Sequence, residues 1–223
     1  GLLLWGGLLI RIGDRKHPKI NIPFCGVSGS IVHHALLFSS TQANWVTIKN
    51  SGTQTINVGF FRNLGSYRPS FNADKTIRVV AGGTSDDVKL GYGWEGRVQK
   101  LTGHPKDPAT WIEFHFDAWQ GMTFGDVSLI RGYNGPALLV SHDRSLKRGF
   151  SQNLYPNAPQ RYKVRDSNRT PVLAATEPYT GGKHEELVSY YRRKLKRHDA
   201  YVVNTDVAAD QGTKSKHLII EFF

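Results

Sequence analysis

The sequence predicts a mainly β protein whose strands form a sandwich or a barrel. From Asn44 onward, short segments of alternating apolar and polar residues recur at intervals of roughly ten residues, with turn residues between them. The 223 residues include 23 Gly and 10 Pro, which supply many turns. Hydrophobic residues make up 39% of the chain, so it can form an ordered core, and wholesale disorder is excluded.

Alternation with a period of two residues identifies the individual strands. Asn44–Lys49 and Thr55–Phe61 alternate in this way on either side of a turn at Gly52, and we predict that they pair as a hairpin. The other predicted strands are Lys75–Ala81, Tyr92–Leu101, Trp111–Phe116, Asp126–Tyr133, Ala137–Ser141 and His217–Phe223.

One helix and one long surface segment interrupt this pattern. Residues 147–178 are polar, contain four Pro and have few aliphatic side chains, so we predict a loop-rich excursion there. Glu185–His198 is predicted to be a helix because apolar residues recur at helical spacing on one side. The predicted organisation is a docked N-terminal extension at 1–42 and a domain at 43–223, of which 147–200 is the loop and helix excursion.

The chain is strongly basic. Its 29 Lys and Arg residues outnumber 18 Asp and Glu residues, which gives a net charge of +11. Such a surface suits nucleic acid, an anionic lipid or an acidic glycan, and it equally suits a protein with no specific anionic partner. Nucleic acid is not favoured, because residues 1–42 are not rich in arginine. The basic cluster Arg192–Arg197 is interpreted first as a complement to the helix dipole and second as a phosphate or lipid contact.

The residue patterns needed for metal or cofactor chemistry are absent from the sequence. Cys25 is the only cysteine, which excludes an intrachain disulfide and a cysteine-based zinc or iron–sulfur site. The nine His residues show no H-x-x-x-H spacing, and no G-x-S-x-G elbow or phosphate-binding loop occurs. We therefore expect no metal and no cofactor. No apolar run approaches the roughly 20 residues that span a bilayer, so no transmembrane segment is expected.

Carboxylates offer the one candidate for catalysis. Glu113, Asp117 and Asp126 lie on or beside neighbouring predicted strands. Two carboxylates that flank a glycosidic bond can act as acid and as nucleophile or base. The alternative, which we prefer, is that they are ordinary strand and turn acids.

The segment Thr123–Pro136 (TFGDVSLIRGYNGP) resembles the central signature of the thaumatin-like family, D-F-Y-D-V-S-L-V-D-G-Y/F-N-x-P. Ala109–Phe114 (ATWIEF) resembles the family's T-L-A-E-F strand, and Gly93–Val98 (GWEGRV) resembles its G-W-x-G-x-V strand. Weaker similarities follow at Tyr190–Thr205 and Asp206–Phe223, in the order that the family has.

This resemblance implies a β-sandwich with a long loop-rich excursion, one short helix near the C-terminus and an acidic cleft that binds β-1,3-glucan. Some family members are weak endoglucanases. By position, Glu113 matches the cleft glutamate and Asp126 the Asp of D-V-S, while Arg97 matches the cleft arginine and Tyr133 an aromatic beside the cleft. Thr123 and Arg131 stand where the family has Asp, and nearly all of the family's cysteines are absent.

Three functional hypotheses follow. The favoured one is a non-catalytic, secreted or wall-associated protein that recognises a polysaccharide through Arg97, Glu113, Asp126, Arg131 and Tyr133. The second is a self-assembling or coat-type protein with an anionic partner, because the apolar segment Gly1–Ile10 must be covered by its own core or by another copy. The third is a weak endo-β-1,3-glucanase that uses Glu113 and Asp126.

Overall fold

Two five-stranded β-sheets dominate the structure, which is a computed structural model that describes residues 43–66, 68–207 and 212–223. The strands in chain order are β1 (Asn44–Asn50), β2 (Ile56–Arg62), β3 (Lys75–Val79), β4 (Val88–Leu90), β5 (Glu95–Lys100), β6 (Trp111–His115), β7 (Phe124–Ser128), β8 (Ala137–Ser141), β9 (Lys147–Phe150), β10 (Lys163–Arg165), β11 (Pro171–Leu173) and β12 (His217–Phe222). One α-helix occurs in these ranges, α1 (Glu185–Lys194).

The strand order is β4-β1-β12-β8-β9 in the first sheet and β3-β2-β5-β6-β7 in the second. β10 and β11 form a separate two-stranded sheet. The pairing of β1 with β12 is parallel, whereas the other strand pairs in all three sheets are antiparallel. The mainly β prediction, with a helix near the C-terminus, is confirmed.

The predicted hairpin between the first two strands is wrong. β1 pairs with β12 and β4, and β2 pairs with β3 and β5, so the two strands belong to different sheets. Alternation shows which side chains face the core, but it does not identify the neighbouring strand. The turn around Gly52 therefore carries the chain from one sheet to the other.

Other elements also differ from the sequence prediction, including the helix, which ends at Lys194 and not at His198. β9 belongs to the first sheet although the sequence places it in the excursion, and β4 has only three residues, too few to show a period. The strand predicted to run from Asp126 to Tyr133 ends at Ser128. The predictions for residues 1–42, including those for Gly1–Ile10 and Cys25, concern a segment outside the described residues.

The core lies between the facing sides of the two sheets. Alternate residues of the central strands point into it and are fully buried: Val46, Ile48, Phe60, Val98, Ile112, Phe114, Val127, Leu139, Leu218 and Ile220. Trp94 stacks on Phe114 with ring centroids 4.9 Å apart. α1 adds its buried face to the same core through Leu187, Tyr190 and Tyr191. In the described ranges, no helix is long and apolar enough to cross a bilayer.

Substitution of Gly149 tests how closely the backbones of β8 and β9 approach each other. Its φ is +94°, and an added Cβ would lie 2.1 Å from the carbonyl oxygen of Ala137. We expect Gly149→Ala to lower the free energy of unfolding by about 2–3 kcal/mol, because both the backbone and the contact are strained. Urea unfolding measures this loss.

Gly91→Ala is the matched control, since an added Cβ at Gly91 meets no described atom within 4 Å. Its stability should stay within about 0.5 kcal/mol of the unaltered protein. Equal stability of the two variants would contradict the close β8–β9 approach.

Candidate functional site

A row of side chains crosses the outer face of the second sheet. The strand registers pair Phe61 with Arg97, Arg97 with Glu113, and Glu113 with Asp126. The neighbouring row of cross-strand partners, one residue along each strand, is buried in the core and consists of Phe60, Val98, Ile112 and Val127. Because successive strand residues point to opposite faces, the charged row (Arg97, Glu113 and Asp126) faces away from the core.

The charged row is covered, although it lies on the outer face. Relative exposures are 1% for Arg97, 2% for Glu113 and 5% for Asp126. The Arg97 guanidinium carbon lies 3.9 Å from the ring centroid of Trp111 and 5.2 Å from that of Phe71. An arginine held between aromatic faces gains cation–π stabilisation that increases when water is excluded.

Two loops contact the guanidinium groups of Arg97 and Arg131. The loop between β2 and β3 places the Ser70 carbonyl 2.7 Å from Arg97 Nη1, which donates to it. The loop between β11 and α1 carries Tyr179, whose ring meets that of Phe71 edge-on at 6.3 Å. Arg131 lies over the Tyr179 ring at 4.0 Å, and its Nη1 donates to the Glu177 carbonyl at 2.7 Å.

The electrostatics of the charged row are set by burial. Burial lowers the pKa of Arg97 to about 10, against the opposing effect of Glu113. Burial raises the pKa of Asp126 to about 7 and that of Glu113 well above its usual value. Asp126 raises the pKa of Glu113 further, and the two carboxyl groups share a hydrogen bond. The pair therefore keeps at least one proton at neutral pH.

This arrangement does not provide the geometry for glycoside hydrolysis. Hydrolases place their two carboxyl groups about 5–9.5 Å apart, on either side of the bond to be cleaved. Here Glu113 and Asp126 are direct cross-strand partners, joined by a hydrogen bond and sealed from solvent. The Asp117 carboxylate is also used within the fold, since it accepts hydrogen bonds from Asn44, Gly93 and Lys216.

The structure brings four of the five predicted ligand-contacting residues together. Arg131 is half-buried and near enough to lower the pKa of Glu113. Tyr133 is separate: it is 2% exposed, stacks on Phe150, and its hydroxyl accepts a hydrogen bond from the Leu154 amide at 2.9 Å. Contact of these residues with a ligand stays a prediction, because in this structure such contact requires the cover to move.

An open groove lies at one end of the sandwich, with a volume of about 540 Å³. We call it the polar groove. It is lined by the turn between β1 and β2, the end of β5 and the C-terminal Phe223. Its hydroxyl and amide side chains include Thr53, Gln54, Thr55, Asn57, Thr102 and Thr170. Sequence reasoning missed this groove, because its wall is drawn from separate segments of the chain.

The loop after β7 forms one wall of the polar groove. Asn134 donates from Nδ2 to the Lys100 carbonyl at 2.9 Å and to Thr102 Oγ1 at 3.2 Å. It also accepts a hydrogen bond from the Thr110 amide at 3.1 Å. Asn134 and Gly135 belong to the Y-N-G-P part of the quoted signature, which was the only sequence signal near this site.

Comparisons with known proteins assign the chain to no family. No protein-family profile and no curated protein sequence matches it. Among solved structures, the protein elicitor MoHrip2 from Magnaporthe oryzae is similar over 59% of this chain and 90% of its own, with 15% identity and a TM-score of 0.38. The thaumatin-like resemblance stays a prediction.

The buried carboxyl pair should make stability depend on pH. Because the pKa of Asp126 rises from 3.8 unfolded to about 7 folded, its contribution is complete below about pH 4 and is lost as pH rises through about 7. Relative to Asp126→Asn, the unaltered protein should lose on the order of 2–4 kcal/mol of unfolding free energy between pH 4 and pH 8. Urea unfolding across this range measures the difference.

Asp143→Asn is a control for which the pH dependence of stability has the opposite sign. Hydrogen bonds from Ser141 and Ser145 lower the pKa of Asp143 to about 2, so its contribution is present above about pH 4 and lost as pH falls towards 2. This variant should be less stable than the unaltered protein at neutral pH. A pH-independent difference between Asp126→Asn and the unaltered protein would contradict a shared buried proton.

Proposed function

We propose that this is a non-catalytic polysaccharide-binding protein and that the polar groove is its binding site. This proposal rests on one observation: several hydrogen-bonding side chains along the open groove have no hydrogen-bond partner in the described parts of the protein. Among the described residues, Gln54, Asn57 and Thr170 make no side-chain hydrogen bond, so their polar atoms are available to sugar hydroxyls.

A sugar ring also needs an apolar surface. Phe223 lines the polar groove and is 36% exposed, and Ile56 and Leu101 line it as partly buried apolar side chains. Ligand sites commonly combine apolar contact area with a small number of placed polar groups. Polar and apolar groups therefore both face the space that a saccharide chain would occupy.

The resemblance to thaumatin-like proteins supplies the expected ligand class, β-1,3-glucan, and with it a secreted or wall-associated location. The sealed carboxyl pair supports binding without cleavage. The self-assembly hypothesis stays a prediction, because Gly1–Ile10 lies outside the described residues.

A pull-down on insoluble β-1,3-glucan tests this function. The double variant Gln54→Ala/Asn57→Ala should bind about tenfold more weakly than the unaltered protein, because it loses two neutral hydrogen-bonding groups at the groove. The bound fraction is measured against glucan concentration at 150 mM salt.

The matched control is Gln152→Ala/Asn157→Ala, which removes the same residue types from exposed positions outside the groove. It should bind as the unaltered protein does. Absence of retention in the unaltered protein, or equal binding by both double variants, counts against the proposed site.

A further inference from the structure

We infer that the polar groove prefers a polysaccharide that carries anionic groups, and that Lys100 recognises them. This inference rests on the proposed function, because it names the ligand class of the same groove. It starts from Lys100, which lies at the end of β5, lines the groove and has no ion-pair partner among the described residues.

The Lys100 ammonium group lies beside the loop after β7. The backbone of Gly135 has a φ of +135°, and a Cβ added there would lie 2.8 Å from Lys100 Nζ. A side chain at 135 would therefore displace the end of the lysine side chain. The Asn134 amide donates a hydrogen bond to the Lys100 carbonyl. Asn134 and Gly135 thus hold the Lys100 backbone and leave space around its ammonium group.

The Lys100 side chain is half-buried and has no counter-ion among the described residues. No Asp or Glu lines the polar groove, and no hydrogen bond or ion pair reaches Lys100 Nζ from the described parts of the chain. Burial lowers the pKa of Lys100, and no acidic neighbour opposes this effect. A charge removed from water without a partner destabilises the fold.

A ligand with an anionic group would supply the missing partner. An ammonium–carboxylate or ammonium–sulfate hydrogen bond is charge-assisted and about twice as strong as the bond to a neutral hydroxyl. The neutral amides and hydroxyls of the groove would bind the remaining sugar hydroxyls. One cation within a neutral groove fits a saccharide chain with occasional anionic groups better than a dense polyanion.

The experiment compares three ligands with the same backbone: laminarin, carboxymethylated laminarin and sulfated laminarin. Isothermal titration of the full chain at 150 mM salt gives each affinity. The unaltered protein should bind at least one anionic derivative about tenfold more tightly than laminarin. Lys100→Met should abolish that preference, so that its affinities for the anionic derivatives fall to about its own affinity for laminarin. Lys100→Arg, which keeps the charge, should retain the preference.

Lys183→Met is the matched control, because it removes one positive charge from an exposed position outside the groove. It should keep the preference, which separates Lys100 from the general attraction of a protein with net charge +11. The melting temperature of Lys100→Met should be higher than that of the unaltered protein, since an unpaired charge is removed.

The outcomes separate this inference from the proposed function. Laminarin binding without any anionic preference, or a preference that survives in Lys100→Met, overturns the role of Lys100 and leaves polysaccharide binding intact. No binding of any of the three ligands overturns both. Equal losses in Lys100→Met and Lys183→Met show non-specific electrostatics and also overturn the inference.

Discussion

The need to compensate a buried guanidinium organises the outer face of the second sheet. Arg97 is 1% exposed and lies between aromatic rings, with Gln99 and the Ser70 carbonyl as hydrogen-bond acceptors. Removing one partner of such a group would leave an uncompensated charge, which is far more costly than losing a surface ion pair. The loops that carry Ser70 and Tyr179 are therefore held against the sheet by electrostatics as well as by apolar packing. Compensation of the Arg97 charge therefore keeps these loops closed over the region where the thaumatin-like resemblance predicts a cleft.

One continuous segment, 123–136, contributes to both of the polar regions. Its strand part places Asp126 in the charged row, and its turn part places Asn134 and Gly135 beside the polar groove. The strand ends at Ser128, and Gly132 and Gly135, which have positive φ values, redirect the chain between these regions. The charged row is buried and the polar groove is exposed. The strand part of this segment therefore has a structural role, whereas its turn part lies at the candidate binding site.

The sequence predicted the strands of the sandwich and the start of the helix because burial of one face leaves a periodic pattern. β1 and β12 show this most clearly, each with buried residues at every second position. It could not predict that these strands pair in parallel, because pairing depends on contacts between distant segments. For the same reason, the juxtaposition of Glu113 and Asp126 was expected from neighbouring strands, but their burial was not. The polar groove left even less signal, since threonine and asparagine in turns are common without function.

Arg131 helps to explain how two carboxyl groups can be buried side by side in the charged row. Its guanidinium packs over the Tyr179 ring and lowers the pKa of Glu113, so it supplies positive charge to a region already rich in carboxyl groups. An acid at position 131 would instead add a further negative charge near Glu113, which this buried environment stabilises poorly. Arginine at this position therefore favours a sealed row, and under the proposed function ligand binding then requires a separate, open surface such as the polar groove.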